Sequence, residues 1–375
     1  MKIEKARKQD FAELMDLMHR AFSAGGVDHD RFEELYPDLY QPTSESMGCN
    51  YIIRTEGKIA SVAGVFPLAV RIGDTRLSIA GVGGVCTDPR HRGKGGMTAL
   101  MNRVVEHIRG DGYALGWLTG ERDRYARFGW EKAGSETVVQ FLKLRPQDRA
   151  LHWKVADLHP ARESLDAVLA ARDALEVKGL CDDETFRLKL QRKHMQVWQA
   201  SLGSAFAYVV VNRKFQWLAE WGGDPEGVRA LLNHVMTQVP LLNIAIPRRR
   251  DRYASLWQSV AQQYGKAVEN LAVFDLLGVL KAYKPHFAEA WPRSQAVHLV
   301  ATDGEKTLMS AGITDGKPQA RAPRGAFTVR LPQLRMVSFL FGPHSPSFLL
   351  DLPPEARWLD QVFPLPFTMP SLWRV

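Results

Sequence analysis

The sequence predicts a mixed α/β protein: one sheet flanked by helices, a second unit that loosely repeats it, and a smaller α+β unit at the end. Three observations carry this reading. Strand-like and helix-like periodicities alternate from residue 2 to about Leu276. The order strand, helix, three strands, helix, strand, helix, strand in the first part returns less regularly in the second. Beyond about Leu277 proline becomes frequent, and short strands alternate with helical pieces. The expected segments are 1–147, 148–276 and 277–375, and a chain of 375 residues has room for two or three domains.

In the first segment, residues 2–7 read as a strand. Asp10 is placed to cap a helix whose Phe11, Leu14, Met15, Met18 and Phe22 share one face. A polar, turn-rich stretch at 23–48 follows, anchored by Phe32, Leu35, Tyr36, Leu39 and Tyr40. Strands are expected at 50–55, 59–72 and 76–87, linked by turns at 56–58 and 73–74. A helix begins near Gly95, with Met97, Leu100, Met101, Val104, Val105 and Ile108 as its buried stripe and Gly110 with Gly112 as its end. A strand at 114–119, a short helix at 121–128 stopped by Gly129, and a closing strand at 140–144 complete the unit.

Residues 145–159 read as a polar linker. The second segment predicts helices at 161–174 and 183–192, a hairpin of 205–211 with 215–221, a helix at 225–237, a strand at 242–246, a helix at 253–264 and a strand at 271–276. The third predicts helical pieces at 278–284 and 334–341 and strands at 296–301 and 325–329. Residues 362–375 are apolar for a terminus, so this tail is expected to pack against the body rather than stay free.

Composition narrows the functional classes. Apolar residues make up 45% and charged residues 24%, the balance of a globular protein with a sizeable core. The three cysteines are far apart and have no metal-ligand spacing, which points to a reducing compartment. No signal-peptide core and no membrane-length apolar run is present, so the cytoplasm is the expected location and no membrane partner is expected. The net charge of +8 is spread along the chain, densest at Arg248, Arg249, Arg250 and Arg252. Without a basic stripe interleaved with aromatics, nucleic acid is an unlikely partner. A homo-oligomer remains open.

The most telling run lies at 82–97. A strand ends at Pro89, a basic glycine-rich turn follows (Arg90, His91, Arg92, Gly93, Lys94, Gly95, Gly96), and a helix opens at Met97. Such a turn aims several backbone N–H groups at one point at the positive end of a helix, which suits a phosphate. No Gly-Lys-Ser/Thr follows, so it is not a Walker loop, and the dinucleotide fingerprint is absent. Arg92 to Met97 follows the R-x-x-G-x-G/A pattern of acyl-CoA-dependent N-acetyltransferases except at Met97, and the overlapping register Arg90 to Gly95 follows it fully. The second unit has Gly222, Gly223, Asp224 and Pro225 at the corresponding place, which puts an acid where a phosphate would go. A second run, Tyr125-Ala126-Arg127-Phe128-Gly129-Trp130, is a short helix ending at glycine before an aromatic.

With these two runs the chain resembles the GNAT superfamily of N-acetyltransferases, and within it the enhanced intracellular survival family. Residues 125–130 are similar to that family's Y-G-R-F-G-Y segment. Residues 85–95 are similar to its V-x-V-x-P-x-x-R-R-R-G strand and turn, departing at Thr87, Gly93 and Lys94. The resemblance implies tandem GNAT folds, an active one at 1–147 and a degenerate one at 148–276, plus a sterol-carrier-like domain at 277–375. It implies acetyl-CoA as cosubstrate. Backbone groups of Val85 and Thr87 would hold its pantetheine arm, and the amides of Arg92, Gly93, Lys94, Gly95, Gly96 and Met97 its pyrophosphate. It also implies direct acetyl transfer to a primary amine of a small molecule or peptide, with Tyr125 as general acid. The family's base is its own C-terminal carboxylate, by position Val375 here, where the family's usual aromatic end is missing; Glu121 or a water relay are alternatives. Among further candidates, His91 lies beside the turn and His107 reads as a surface residue, while His194 is a third possible base. Asp28, His29, Asp30, Glu33 and Glu34, with Tyr36 and Tyr40, would cap the acceptor side. The competing reading is a protein that binds or senses acyl-CoA or a lipid without turnover.

Overall fold

The computed structural model describes residues 1–26, 28–142, 153–246, 252–260 and 263–375. The first segment supplies strands β1 (Ile3–Lys5), β2 (Asn50–Thr55), β3 (Lys58–Ile72), β4 (Thr75–Thr87), β5 (Leu115–Leu118) and β6 (Glu131–Leu142). Its helices are α1 (Phe11–Phe22), α2 (Gly96–Gly110) and the single turn α3 (Arg122–Tyr125). The second supplies β7 (Lys154–Leu158), β8 (Val177–Gly179), β9 (Met195–Leu202), β10 (Ala205–Asn212), β11 (Trp217–Gly223), α4 (Pro225–Val235), β12 (Leu241–Ile246) and β13 (Gln263–Val273). The third supplies β14 (Ala296–Asp303), β15 (Lys306–Thr314), β16 (Lys317–Gln319), β17 (Phe327–Pro332) and α5 (Gln333–Phe341).

One mixed sheet runs through the first two segments in the order β1-β2-β3-β4-β5-β13-β6-β12-β11-β10-β9-β7, with β8 added on β3. The pairing repeats. β2, β3 and β4 are antiparallel, β4 pairs parallel with β5, and an antiparallel strand closes the half. Likewise β9, β10 and β11 are antiparallel, β11 pairs parallel with β12, and an antiparallel strand closes that half. The closing strands are exchanged: β13 lies against β5, β6 lies against β12, and the two pair with each other. The third segment forms a separate four-stranded sheet, β16-β15-β14-β17. It does not have a core of its own: Val70, Leu271, Val297, Phe339 and Trp373 belong to one buried cluster.

The α1 and α2 faces read from the sequence are those that pack. Leu14, Met15 and Met18 on α1, and Leu100, Met101, Val104 and Ile108 on α2, are fully buried. Arg54 ties Glu4, Asp10 and Glu13 together at the start of α1. Several expectations need correction. The closing strand begins at Glu131, not at 140; buried Glu136 breaks the apolar pattern by which a strand is recognised, and residues 143 and 144 lie outside the described ones. The strand expected at 271–276 is β13, which starts at Gln263 and ends at Val273, and the helix expected at 253–264 is only Ala254–Val260. Buried Glu269 and Asn270 disguise it in the same way. Within the expected linker, residues 154–158 are the edge strand β7, paired with β9; 145–152 lie outside the described residues, as do Arg248, Arg249 and Arg250 of the basic cluster. Strands β8, β9, β15 and β16 were not expected.

The apolar tail is packed as expected. Leu365, Phe367, Met369, Leu372 and Trp373 are buried, and the Trp373 ring lies over Gly179, leaving no room there for a side chain. It stacks on Phe186, with the Arg172 guanidinium 4.9 Å from its centroid. Arg374 reaches Glu136 on β6 (2.9 Å) and Glu269 on β13 (2.7 Å), and Glu269 also accepts from the Trp117 indole at 3.0 Å. Burial and the neighbouring charge of Glu269 push the Glu136 carboxyl up to about 8, against the opposing pull of Arg374. Asp38, fully buried, ties the capping stretch to the second segment through Lys189 (2.6 Å) and Arg192 (2.7 Å). Burial alone would raise that carboxyl; the two cations outweigh it and hold it at about 2.

Two outcomes follow. Replacing Asp38 with Asn strands two buried cations and should cost about 3–5 kcal/mol, read by chemical denaturation; a loss within experimental error would contradict the buried triad. For Glu136 the folded carboxyl titrates above its ordinary 4.5, so its contribution is complete below that pH and is lost as pH rises through 8. Stability should fall over this window by up to about 1.4 kcal/mol per pH unit. The Glu136→Gln variant should flatten that fall in thermal melts.

Candidate active site

β4 and β5 pair in parallel from Ile79 and Leu115 to Val82 and Leu118, and there the pairing stops. β5 ends, while β4 runs on to Thr87. On its other side the register with β3 slips: Gly64 faces Gly83 and Val62 faces Cys86, so Gly84 and Val85 together oppose one residue. This is a β-bulge. Gly84 adopts a φ of 62°, and a Cβ there would lie 2.5 Å from the Tyr40 hydroxyl and 2.6 Å from the Met18 methyl. Val85 is left without a register partner on either neighbouring strand, beside an open gap.

The glycine turn closes the far end of that gap. Asp88 accepts the Arg90 N–H and both arms of its guanidinium, at 3.0 Å each, and also meets Arg20. The bonds from Arg90 hold its carboxyl well below the usual range despite partial burial. Gly93 and Gly95 have φ of 77° and 80°, and α2 then begins with no side chain capping its first amides. α4 in the second half is the contrast: Asp224 accepts from the N–H groups of Glu226 (2.8 Å) and Gly227 (3.2 Å), so its own carboxylate fills the place of an anion.

A cavity of about 630 Å³ lies between these parts. Val85, Thr87, Arg92, Gly93, Gly95, Gly96 and Met97 all line it; Lys94 does not. Sequence reasoning missed Phe22 from α1 and Arg124 from α3, which also line it. Arg92 is a strut rather than a free cation, donating to the carbonyls of Ala21 (3.1 Å) and Thr87 (3.4 Å). Cys86 is on the wall too, but burial pushes its thiol up to about 12, so it is not a thiolate nucleophile near neutrality.

Tyr125 ends α3, 6% exposed, with its ring against Gly120, whose φ of 150° no ordinary side chain accepts. Burial raises its phenol above the ordinary value, with Arg124 opposing. The turn is held from both sides: Arg122 grips Glu131 at 2.5 and 2.6 Å, and Arg127 reaches Thr98 on α2 at 2.9 Å. The opposite side of the gap receives the tail. The carboxyl carbon of Val375 lies 3.2 Å from where a Cβ on Gly83 would stand, so this residue rests on β4 just before the bulge. The backbone carbonyl of Arg374 accepts from Arg192 at 3.0 Å.

Other candidates are placed less favourably. Glu121 is exposed and paired with Arg124 at 3.4 Å. His91 lines the cavity with its Nδ1 buried and unbonded. His107, expected on the surface, is half-buried beside the Tyr51 ring, and burial lowers its pKa. His194 bonds Asp30 at 2.9 Å. The acids expected to attract an amine are largely engaged: Asp30 with Lys193 and Lys214, Glu34 with Lys193, Glu33 with Arg31. Asp30 and Glu34 fasten the capping stretch to the second segment instead, while the Glu33 pair is internal to it. The stretch also carries Phe32, Tyr36 and Tyr40, which form a chain of ring contacts from Phe22 at the end of α1 to Phe66 on β3. Among the described residues no cluster could hold a metal ion, and no helix is long and apolar enough to cross a membrane.

Residues 2–133 match the family model described as an acetyltransferase (GNAT) domain. A comparison with curated protein sequences gives no match. Solved structures share the fold along nearly the whole chain. Eis1 from Mycobacterium abscessus is 17% identical with a TM-score of 0.67, covering 98% of this chain and 99% of its own. A probable N-acyltransferase from Enterococcus faecalis is 17% identical with a TM-score of 0.68, covering 97% and 96%. A GCN5-related N-acetyltransferase from Kribbella flavida is 18% identical with a TM-score of 0.63, covering 96% and 95%. Residues 2–133 thus match the acetyltransferase (GNAT) domain model, and the whole chain shares its mixed α/β fold with Eis1 and these other solved proteins.

Proposed function

We propose that the protein is an acetyl-CoA-dependent N-acetyltransferase acting on a primary amine of a small molecule or peptide. One observation carries this reading: the open stretch of β4 at Val85, the uncapped glycine turn and Arg124, the residue before Tyr125, meet around one cavity, which Tyr125 itself does not line. In it, backbone groups of Val85 and Thr87 hold the pantetheine arm as an added strand would. The amides of the turn from Arg92 to Met97 hold the pyrophosphate at the positive end of α2. The second segment is a degenerate GNAT-like repeat, since Asp224 takes the place of the phosphate. The third is a sterol-carrier-like unit.

The chemistry is direct transfer. The neutral amine attacks the thioester carbonyl carbon, the carbon–sulfur bond breaks, and the Tyr125 hydroxyl gives its proton to the departing sulfur. The ammonium proton is lost to a base. A phenol raised by burial stays protonated at neutral pH, as a donor must. The α-carboxylate of Val375 is the proposed base, directly or through water.

Acetyl-CoA at saturating concentration should raise the melting temperature. Tyr125→Phe should lower kcat by roughly 10²–10⁴ while leaving CoA affinity nearly unchanged; unchanged turnover would remove it as the acid. A short C-terminal extension should lower turnover while leaving CoA affinity intact; an unaffected rate would reject Val375 as base. Binding of acetyl-CoA without thiol release across a broad amine panel would favour a sensing role instead.

A further inference from the structure

The last peptide of the chain is gripped from two directions. The Arg374 side chain runs to Glu136 and Glu269 in the sheet, while its carbonyl oxygen accepts from Arg192 of the second segment. Arg192 follows the helix Asp183–Leu190 and is buried. All three of its guanidinium nitrogens are used. Nε and Nη2 donate to the two carboxylate oxygens of Asp38, each at 2.7 Å, and Nη1 donates to the Arg374 carbonyl at 3.0 Å. The Tyr36 ring centre lies 4.9 Å from the guanidinium. Lys189, also bonded to Asp38, holds its ammonium 5.1 Å from the centre of the Trp373 ring. Two cations on one buried carboxylate thus meet two successive residues of the tail. Beyond them Val375 rests on Gly81 and Gly83, alternate residues on one face of β4. A Cβ at Gly81 would stand 3.1 Å from a Val375 methyl, and one at Gly83 would stand 3.2 Å from its carboxyl carbon.

We propose that Arg192 is a positioning residue for the terminal carboxylate: held by Asp38, it fixes the plane of the last peptide bond and so the place beside Gly83 where the carboxylate stands. The inference rests on the reading of Val375 as the base. A chain end stays poorly ordered unless it is tied down, and a base must remain within hydrogen-bond reach of the proton it takes. The planar fork of arginine bridges the Asp38 carboxylate and the Arg374 carbonyl in one fixed geometry. Lysine brings its donors to a single nitrogen, so it can keep the ion pair with Asp38 but not that bridge. The capping stretch, which carries Asp38, and the proposed base are thereby joined through one side chain.

The test uses the full chain and two readouts. Carboxypeptidase Y, timed by intact mass, reports how often the tail lifts off, whatever the acceptor. Thiol release from acetyl-CoA reports turnover, with tyramine or lysine methyl ester as the amine, whichever the unaltered chain uses faster. Arg192→Lys should speed the loss of Val375 about tenfold or more. It should also lower kcat about tenfold while leaving CoA affinity unchanged. Should that variant fold poorly, Gly83→Ala approaches the carboxyl from the other side. The three atoms nearest its methyl all belong to Val375, so the carboxyl must shift by a few tenths of an ångström, and kcat should fall severalfold at unchanged CoA affinity. Loss of Val375 from Arg192→Lys at the unaltered rate would overturn the proposal and leave the base reading standing. Unchanged kcat in both variants would overturn the positioning role; if a chain lacking Val375 is then equally active, the base reading has failed with it.

Discussion

The parting of β4 from β5 after Val82 is the constraint on which the rest of the molecule depends. Two parallel strands that stop pairing expose backbone groups, and the exposure persists only if each strand is held from its other side. β5 is held by β13, and Trp130 and Phe274 pack against Gly116 at its centre, where a larger residue would not fit. β4 is held by β3 up to a bulge that needs glycine at position 84. The gap is thus a fixed feature of the sheet, available to an extended ligand without rearrangement.

The tail is the second tie. Glu136 and Glu269 sit on neighbouring exchanged strands, and two buried carboxylates side by side would repel. Arg374 lies between them. The same residue is followed by Val375 on β4, so the charge compensation that settles the middle of the sheet also fixes where the chain ends against the gap. The Asp38 triad does comparable service beside the tail, fastening the capping stretch to the second segment through charge, and its Arg192 also donates to the Arg374 carbonyl. Buried ion pairs of this kind add little net stability over apolar packing, but they tolerate few alternative partners.

Much of this was legible in the sequence, where the physics is local. The helix stripe at Leu100, Met101 and Val104 is set by neighbours a few residues away, and it read correctly. The turn residues Arg92 to Met97 were named through the family resemblance that their glycine spacing carries, and of these Lys94 does not line the cavity. What failed was non-local. β6 and β13 carry acids whose burial makes sense only beside Arg374, so their patterns did not look like strands. The bulge had a signal, two adjacent glycines inside a strand, but its meaning depends on Met18 arriving from α1 and Tyr40 from the capping stretch. The acids at Asp30, Glu33 and Glu34 read as an open charged face because their cationic partners lie far along the chain or, for Arg31, depend on the local turn.

The reciprocal placement of β6 and β13 bears on how such a chain can come into being. Each half lends its closing strand to the other, the arrangement that two separate subunits reach by swapping an element. At ordinary rates of translation the strand that shields β5 leaves the ribosome on the order of ten seconds after β5 itself. During that interval the nascent first half presents a bare sheet edge, a template for wrong partners. The early chain is therefore an unfinished object until β13 has been made.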